Sequence, residues 1–185
     1  KAFNSLLSEL GEGTPINTAI EKHLESLKPL QEAFGRFAEQ KAMAYGPDLD
    51  WNQPEELETG APQVIEAVLA ESPTNFWALR MRLGQSIAGK QWDTAKTQAK
   101  DFIERFPEFV DEGNGYLMLA RAHRALDETE EETAILRELA KRTPDSTYAY
   151  QRLLELDLKS ENWKELLTNA NRQMAVNPFL KTAHH

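Results

Sequence analysis

Four prolines recur along this chain at near-constant spacing: Pro73, Pro107, Pro144 and Pro178. The first and last gaps are 34 residues and the middle gap is 37. A fixed period of that length marks stacked supersecondary units, none of which can bury its apolar face alone. Proline cannot continue a helix and biases the residue before it away from helical geometry, so the clock marks helix ends. Repeats of this kind build extended binding surfaces more often than active sites.

Composition narrows the function classes. The chain has 185 residues, enough for one domain or two small ones, with 41% hydrophobic and 28% charged residues. Its formal net charge is −9. Nucleic-acid affinity rests on neutralising phosphates, so an acidic chain predicts no nucleic-acid partner. No apolar run approaches the length of a membrane helix, so no membrane insertion is expected. There is no cysteine, which excludes disulfides and thiolate metal sites.

The apolar pattern is helical throughout. Phe3, Leu6, Leu7 and Leu10 share a face, Gly11 and Gly13 stop that helix, and Thr14-Pro15 starts the next. Ile16, Ile20, Leu24 and Leu27 form a second stripe; Pro29 is read as a break, after which Leu30, Phe34, Phe37 and Ala38 form a third. The expected division is a helical cap over 1–46, a connector over 47–60 rich in Pro, Gly and acids, and repeats over 61–185. Trp51 is read as a packing anchor that pins two units together.

Ala61, Ile65, Val68 and Leu69 are expected core of a half repeat that lacks a recognisable first helix. Leu79, Leu83, Ile87, Ala95, Ala99, Phe102 and Ile103 follow in the next unit. Tyr116, Leu119, Ala120, His123, Leu136, Leu139 and Ala140 form the third core, and Tyr150, Leu153, Leu154, Leu166, Leu167, Ala170 and Met174 the fourth. Hairpins are predicted near Gly89, Asp127 and Ser160. Three extra residues are placed within EFVDEGNG.

Residues 73–182 resemble tetratricopeptide-repeat proteins. The segments YLMLARAHRALDETEEETAILRELAKRTP and YQRLLELDLKSENWKELLTNANRQMAVNP carry the resemblance. It implies an all-α fold of antiparallel helix pairs in a right-handed superhelix. Glu132 departs from the family's Ala, and Leu83 and Leu154 depart from its Gly or Ala. Residues 1–46, through FNSLLSELGEGTPINTAIEKHLESLKPLQEAFGRFAEQKA, are similar to the helical end of a gluzincin-type, peptidase-MA-like zinc metallopeptidase. That resemblance implies a bacterial envelope or periplasmic setting. Lys1 to Leu10 already reads as helix interior and Pro178 to His185 as the entry to another repeat, so the chain is expected to be a fragment, with any catalytic domain before residue 1.

Catalytic chemistry finds little support in the residues. A zinc protease needs two histidines one helical turn apart with a glutamate between them. The chain has only His23, His123 and the terminal His184 and His185, the last two excluded as a tail. His123 occupies a core position. No phosphate-binding glycine loop occurs. The run Asp127 to Glu132 invites calcium, but its carboxylates fall at a hairpin and a helix start, so a solvated face is expected. Neither metal nor cofactor is expected.

The remaining hint lies on the first helices of the repeats. The inner-groove positions of that register are Trp77, Arg80, Asn114, Leu117, Arg121, Arg124, Tyr148, Gln151 and Glu155. Three arginines beside two aromatics can hold a carboxylate-bearing peptide. The competing reading pairs these arginines with the chain's own acids, such as Asp127 and Glu155. The Lys and Asn positions of the family's two-carboxylate clamp hold other residues. The functional expectation is a non-catalytic protein-interaction or scaffolding module with a protein or peptide ligand. The alternative is the non-catalytic C-terminal part of a bacterial zinc metallopeptidase, recruiting substrate or stabilising the enzyme; a purely structural spacer is a third.

Overall fold

In the computed structural model, which describes residues 2–23, 27–46 and 48–176, the described stretches with a 3.6-residue apolar period form helices, although Leu27 opens a new helix instead of ending the second stripe. Among the described residues there are ten α-helices and no strand. Contacts divide the chain into two units, 1–49 and 50–185.

The first unit holds α1 (Ala2–Gly11), α2 (Ile16–His23) and α3 (Leu27–Tyr45). Gly13 takes a left-handed φ of +89°, and the Thr14 amide reaches back to the Glu9 carbonyl at 3.0 Å, closing α1 as glycine allows. Lys22 of α2 pairs with Glu9 of α1. Pro29 does not break a helix. It sits in the first turn of α3, where a missing amide hydrogen costs nothing. Leu6 and Ala19 are buried, whereas Ile16 and the stripe Leu30, Phe34 and Phe37 are exposed. Leu24 lies outside the described residues.

The second unit begins inside the expected connector. Asp50 is tied to the stretch before α5: its carboxylate accepts from Ser72 Oγ at 2.7 Å and Asn75 Nδ2 at 2.9 Å. Its backbone carbonyl accepts from the Phe76 amide at 2.8 Å. A 3-10 helix, Glu55–Thr59, buries Leu57 and packs on α4 (Pro62–Glu71). It stands where a first helix of the half repeat would be. Trp51 is 43% exposed and packs within this unit, stacking on Phe76 at 5.2 Å and meeting Phe106 edge-on at 5.2 Å.

Three hairpins follow: α5 (Phe76–Ala88) with α6 (Trp92–Arg105), α7 (Gly115–Ala125) with α8 (Thr129–Arg142), and α9 (Thr147–Lys159) with α10 (Trp163–Val176). Their turns share a left-handed residue and one backbone hydrogen bond. Lys90, Asp127 and Glu161 are left-handed at φ 55°, 57° and 55°. The amide of the next residue but zero, Gln91, Glu128 and Asn162, bonds the carbonyl of Ser86, His123 and Asp157 at 2.9, 3.0 and 2.8 Å. These positions are spaced by 37 and 34 residues, as Pro107, Pro144 and Pro178 are. Pro73, Pro107 and Pro144 each stand two residues past the ends of α4, α6 and α8. Pro178 lies outside the described residues.

Each helix from α4 on packs against its sequence neighbours, and α5 also touches α7. That is consistent with a helical repeat. Tyr116, Leu136, Leu139, Tyr150 and Leu153 are each at most 2% exposed and form one core shared by α7, α8 and α9. Leu167, an expected core residue, is 64% exposed on α10. Its register position turns away from α9.

The expected solvated acidic run is corrected at two residues. Glu132, where the tetratricopeptide pattern prefers Ala, is 2% exposed. Its two oxygens accept from Arg152 Nε at 2.7 Å and Nη2 at 2.9 Å, joining α8 to α9. Arginine and carboxylate match as planar forks, so a charge enters the core with its partner. Glu128 accepts from Lys96 at 2.8 Å and lies 2.6 Å from buried His123 Nδ1, tying α6, α7 and α8 together. Lys96 and then His123 hold the Glu128 carboxyl below its ordinary range.

Candidate functional site

The nine expected groove residues lie on or at the start of the first helices α5, α7 and α9, and the structure separates them into three groups. Several serve the fold. Asn114 is fully buried as the N-cap of α7: its Oδ1 accepts from the Leu117 amide at 3.0 Å, and its Nδ2 donates to the carbonyls of Val110 and Asp111. An asparagine before a helix commonly does this, so it presents nothing to a ligand. Trp77 donates through Nε1 to the Trp51 carbonyl at 3.3 Å and packs against Phe76. Arg80 donates through Nη2 to the Glu112 carbonyl at 2.8 Å and lies over the Trp77 and Phe109 rings. Glu155 accepts from Arg152 at 2.7 Å.

Leu117, Arg121 and Tyr148 come together. With Gly84, Ile87, Gly113 and Met118 they line an open groove of about 530 Å³ across α5, α7 and the start of α9. Tyr148 is 48% exposed. Among the described residues neither Arg121 nor Arg124 makes an ion pair, so neither is tied to Asp127 or Glu155. Arg124 is exposed and Gln151 is half-buried; neither lines this groove.

Gly84 explains why the groove is open here. Counting back by the hairpin spacing, it is the α5 counterpart of Arg121 on α7 and Glu155 on α9. A Cβ built on it meets nothing within 4 Å. The missing side chain leaves the space that Ile87, Met118 and Tyr148 border. Register alone reveals Gly84; Ile87, an expected core residue, is buried at the groove's edge, and Met118 was not anticipated, because its partial exposure depends on how α5 and α7 cross.

The groove continues into a second cavity of about 410 Å³ that shares Leu117 and Tyr148. Asp111, Glu112 and Asp145 line it, together with Thr147 at the start of α9. The site is therefore bipolar. A guanidinium stands at one end, apolar side chains in the middle and carboxylates at the other end.

This arrangement supplies shape, apolar surface and charge. Among the described residues no group of three or more His, Asp or Glu is placed to hold a metal ion. None of the described helices is long and apolar enough to cross a membrane. No protein-family model matches the chain, and no curated protein matches it.

Proposed function

We propose that this chain is a non-catalytic protein-interaction module. In this reading, the second unit is a tetratricopeptide-type repeat in a right-handed superhelix, and the groove along α5, α7 and α9 holds a peptide segment of a partner protein. The supporting observation is the groove itself: exposed Tyr148, half-buried Leu117 and Met118, and an Arg121 that has no ion-pair partner among the described residues, all on one surface. Tyrosine and arginine are among the residue types that contribute most to protein-recognition energetics. The equal turn geometry of the three hairpins supports the repeat class.

The test is selection of random dodecamers displayed on phage against the whole chain. Enriched peptides are then titrated against Tyr148→Ala and Gly84→Leu. Gly84 has free space for a side chain, so the leucine fills the groove without disturbing the helix. Selected peptides are expected to lose at least tenfold in affinity on both variants while the melts stay near wild type. Peptides that bind both variants as tightly as wild type, or no enrichment at all, would refute this function.

A further inference from the structure

We infer that the groove selects a segment carrying one basic and one acidic side chain about three residues apart, with an apolar residue between them. This deepens the binding reading above and rests on it. The charges decide the chemistry. Arg121 has no acid paired to it among the described residues, so its donors are open to a carboxylate. At the other end Asp111, Glu112 and Asp145 place three carboxylates around one cavity. Arg80 is held against the Gly113 backbone and donates to the Glu112 carbonyl, and Lys141 and Arg172 border a neighbouring cavity that Asp145 also lines, so cations offset these acids only in part. A purely acidic segment would meet repulsion at that end, and a purely basic one at Arg121. Leu117 and Tyr148 border both cavities and supply the apolar floor between them.

The spacing follows from helix geometry. Asp111 and Glu112 stand just before α7, Asp145 stands just before α9, and Arg121 lies on the second turn of α7. Seven residues from Asn114 to Arg121, at a rise of 1.5 Å each, put the two charges roughly 10 Å apart along the axis. A ligand in the polyproline II conformation advances about 3.1 Å per residue and returns to the same face every third residue, so side chains three positions apart both face the groove roughly 9 Å apart. The basic side chain then lies over Asp111 and Asp145 and the acidic one over Arg121. The chain direction of the ligand is not set by these charges, so both sequence orders belong to the same class.

The experiment uses fluorescein-labelled nonapeptides and anisotropy. Two bipolar peptides carry Lys and Glu three positions apart, in either order, around a central Leu. Two controls carry Lys at both positions or Glu at both. At least one bipolar peptide is expected to bind roughly fivefold more tightly than either control, the scale of one partly exposed ion pair. Its affinity should fall as salt is raised from low to physiological strength. Arg121→Glu should move the preference to the doubly basic peptide, an exchange that loss of folding cannot mimic. A doubly acidic peptide binding as tightly as the bipolar ones, or an unchanged preference in Arg121→Glu, overturns the charge rule. If display yields groove-dependent binders that lack the charge pair, the rule falls and the binding function stands. If display yields no groove-dependent binder, both fall.

Discussion

Glu132 is where removal of one side chain should cost most for its size. Its carboxylate is 3% exposed, and its partner Arg152 is 18% exposed with both donors of one fork committed to it. Glu132→Ala installs the residue that the repeat pattern prefers, so a pattern-based expectation is a neutral or stabilising change. The structure argues the opposite. Deleting one member of a buried pair costs about 3–5 kcal/mol, because the other charge is left desolvated. Two effects pull the number down. Arg152 keeps Glu155 at 2.7 Å, on its exposed side. Alanine also improves helix propensity by a few tenths of a kcal/mol. The expected cost is then about 2–3 kcal/mol, or about 5–10 °C in Tm for a chain of this size. Arg152→Met should cost a similar amount by stranding Glu132. The double variant strands neither charge and should return to within about 1 kcal/mol of wild type. Urea melts followed by circular dichroism measure all three, since urea leaves ion pairs unscreened. A Glu132→Ala variant as stable as wild type, or a double variant whose cost is the sum of the singles, would refute the reasoning.

Further outcomes follow from the same structure. Leu136, 0% exposed in the core of α7, α8 and α9, should cost about 2–5 kcal/mol on change to Ala, whereas exposed Glu131→Ala should cost less than about 0.5 kcal/mol in the same urea melts. Gly84→Ala should stabilise by about 0.5–1 kcal/mol, because its Cβ has open space on a helix. Gly115→Ala should destabilise by about 1–3 kcal/mol, because a Cβ there would stand 2.8 Å from Ile103 Cγ1 and 3.2 Å from the Ala99 carbonyl; thermal melts of the two variants should shift in opposite directions. Burial works to raise the Asp50 carboxyl, but hydrogen bonds from Asn75, Ser72 and Asn52 outweigh it and hold the group below its ordinary range. Its contribution is thus present above the unfolded carboxylate value and lost as pH falls through the lower folded one. Asp50→Asn should lower the melt at pH 7, and its difference from wild type should shrink as pH falls through the lowered folded carboxyl value, as calorimetry across acid pH would show.

Much of the architecture follows from local physics that a sequence carries by itself. Proline cannot continue a helix beyond its first turn, so Pro73, Pro107 and Pro144 marked the ends of α4, α6 and α8 before any packing was known. Apolar residues at helical spacing had to share a face, so Leu79, Leu83, Tyr116, Leu136, Tyr150 and Leu153 were readable as core. Pro29 was misread because proline is tolerated in a first turn and disruptive further in, and the start of α3 was not apparent from the pattern. What tertiary structure alone decided is the fate of polar residues. Asn114 occupied a groove position in the register, but the loop from Val110 turned it into a cap. Glu132 looked like a member of a solvated run, and only the crossing of α8 and α9 brought Arg152, twenty residues on, to its carboxylate. Arg80 and Arg121 looked alike on their helices. The first was claimed by the Glu112 carbonyl and two rings, while the second faces the space that Gly84 leaves empty. Apolar burial is non-directional and survives small errors of register, whereas a hydrogen bond or ion pair needs its partner within about 3 Å, a distance that only the packed helices set.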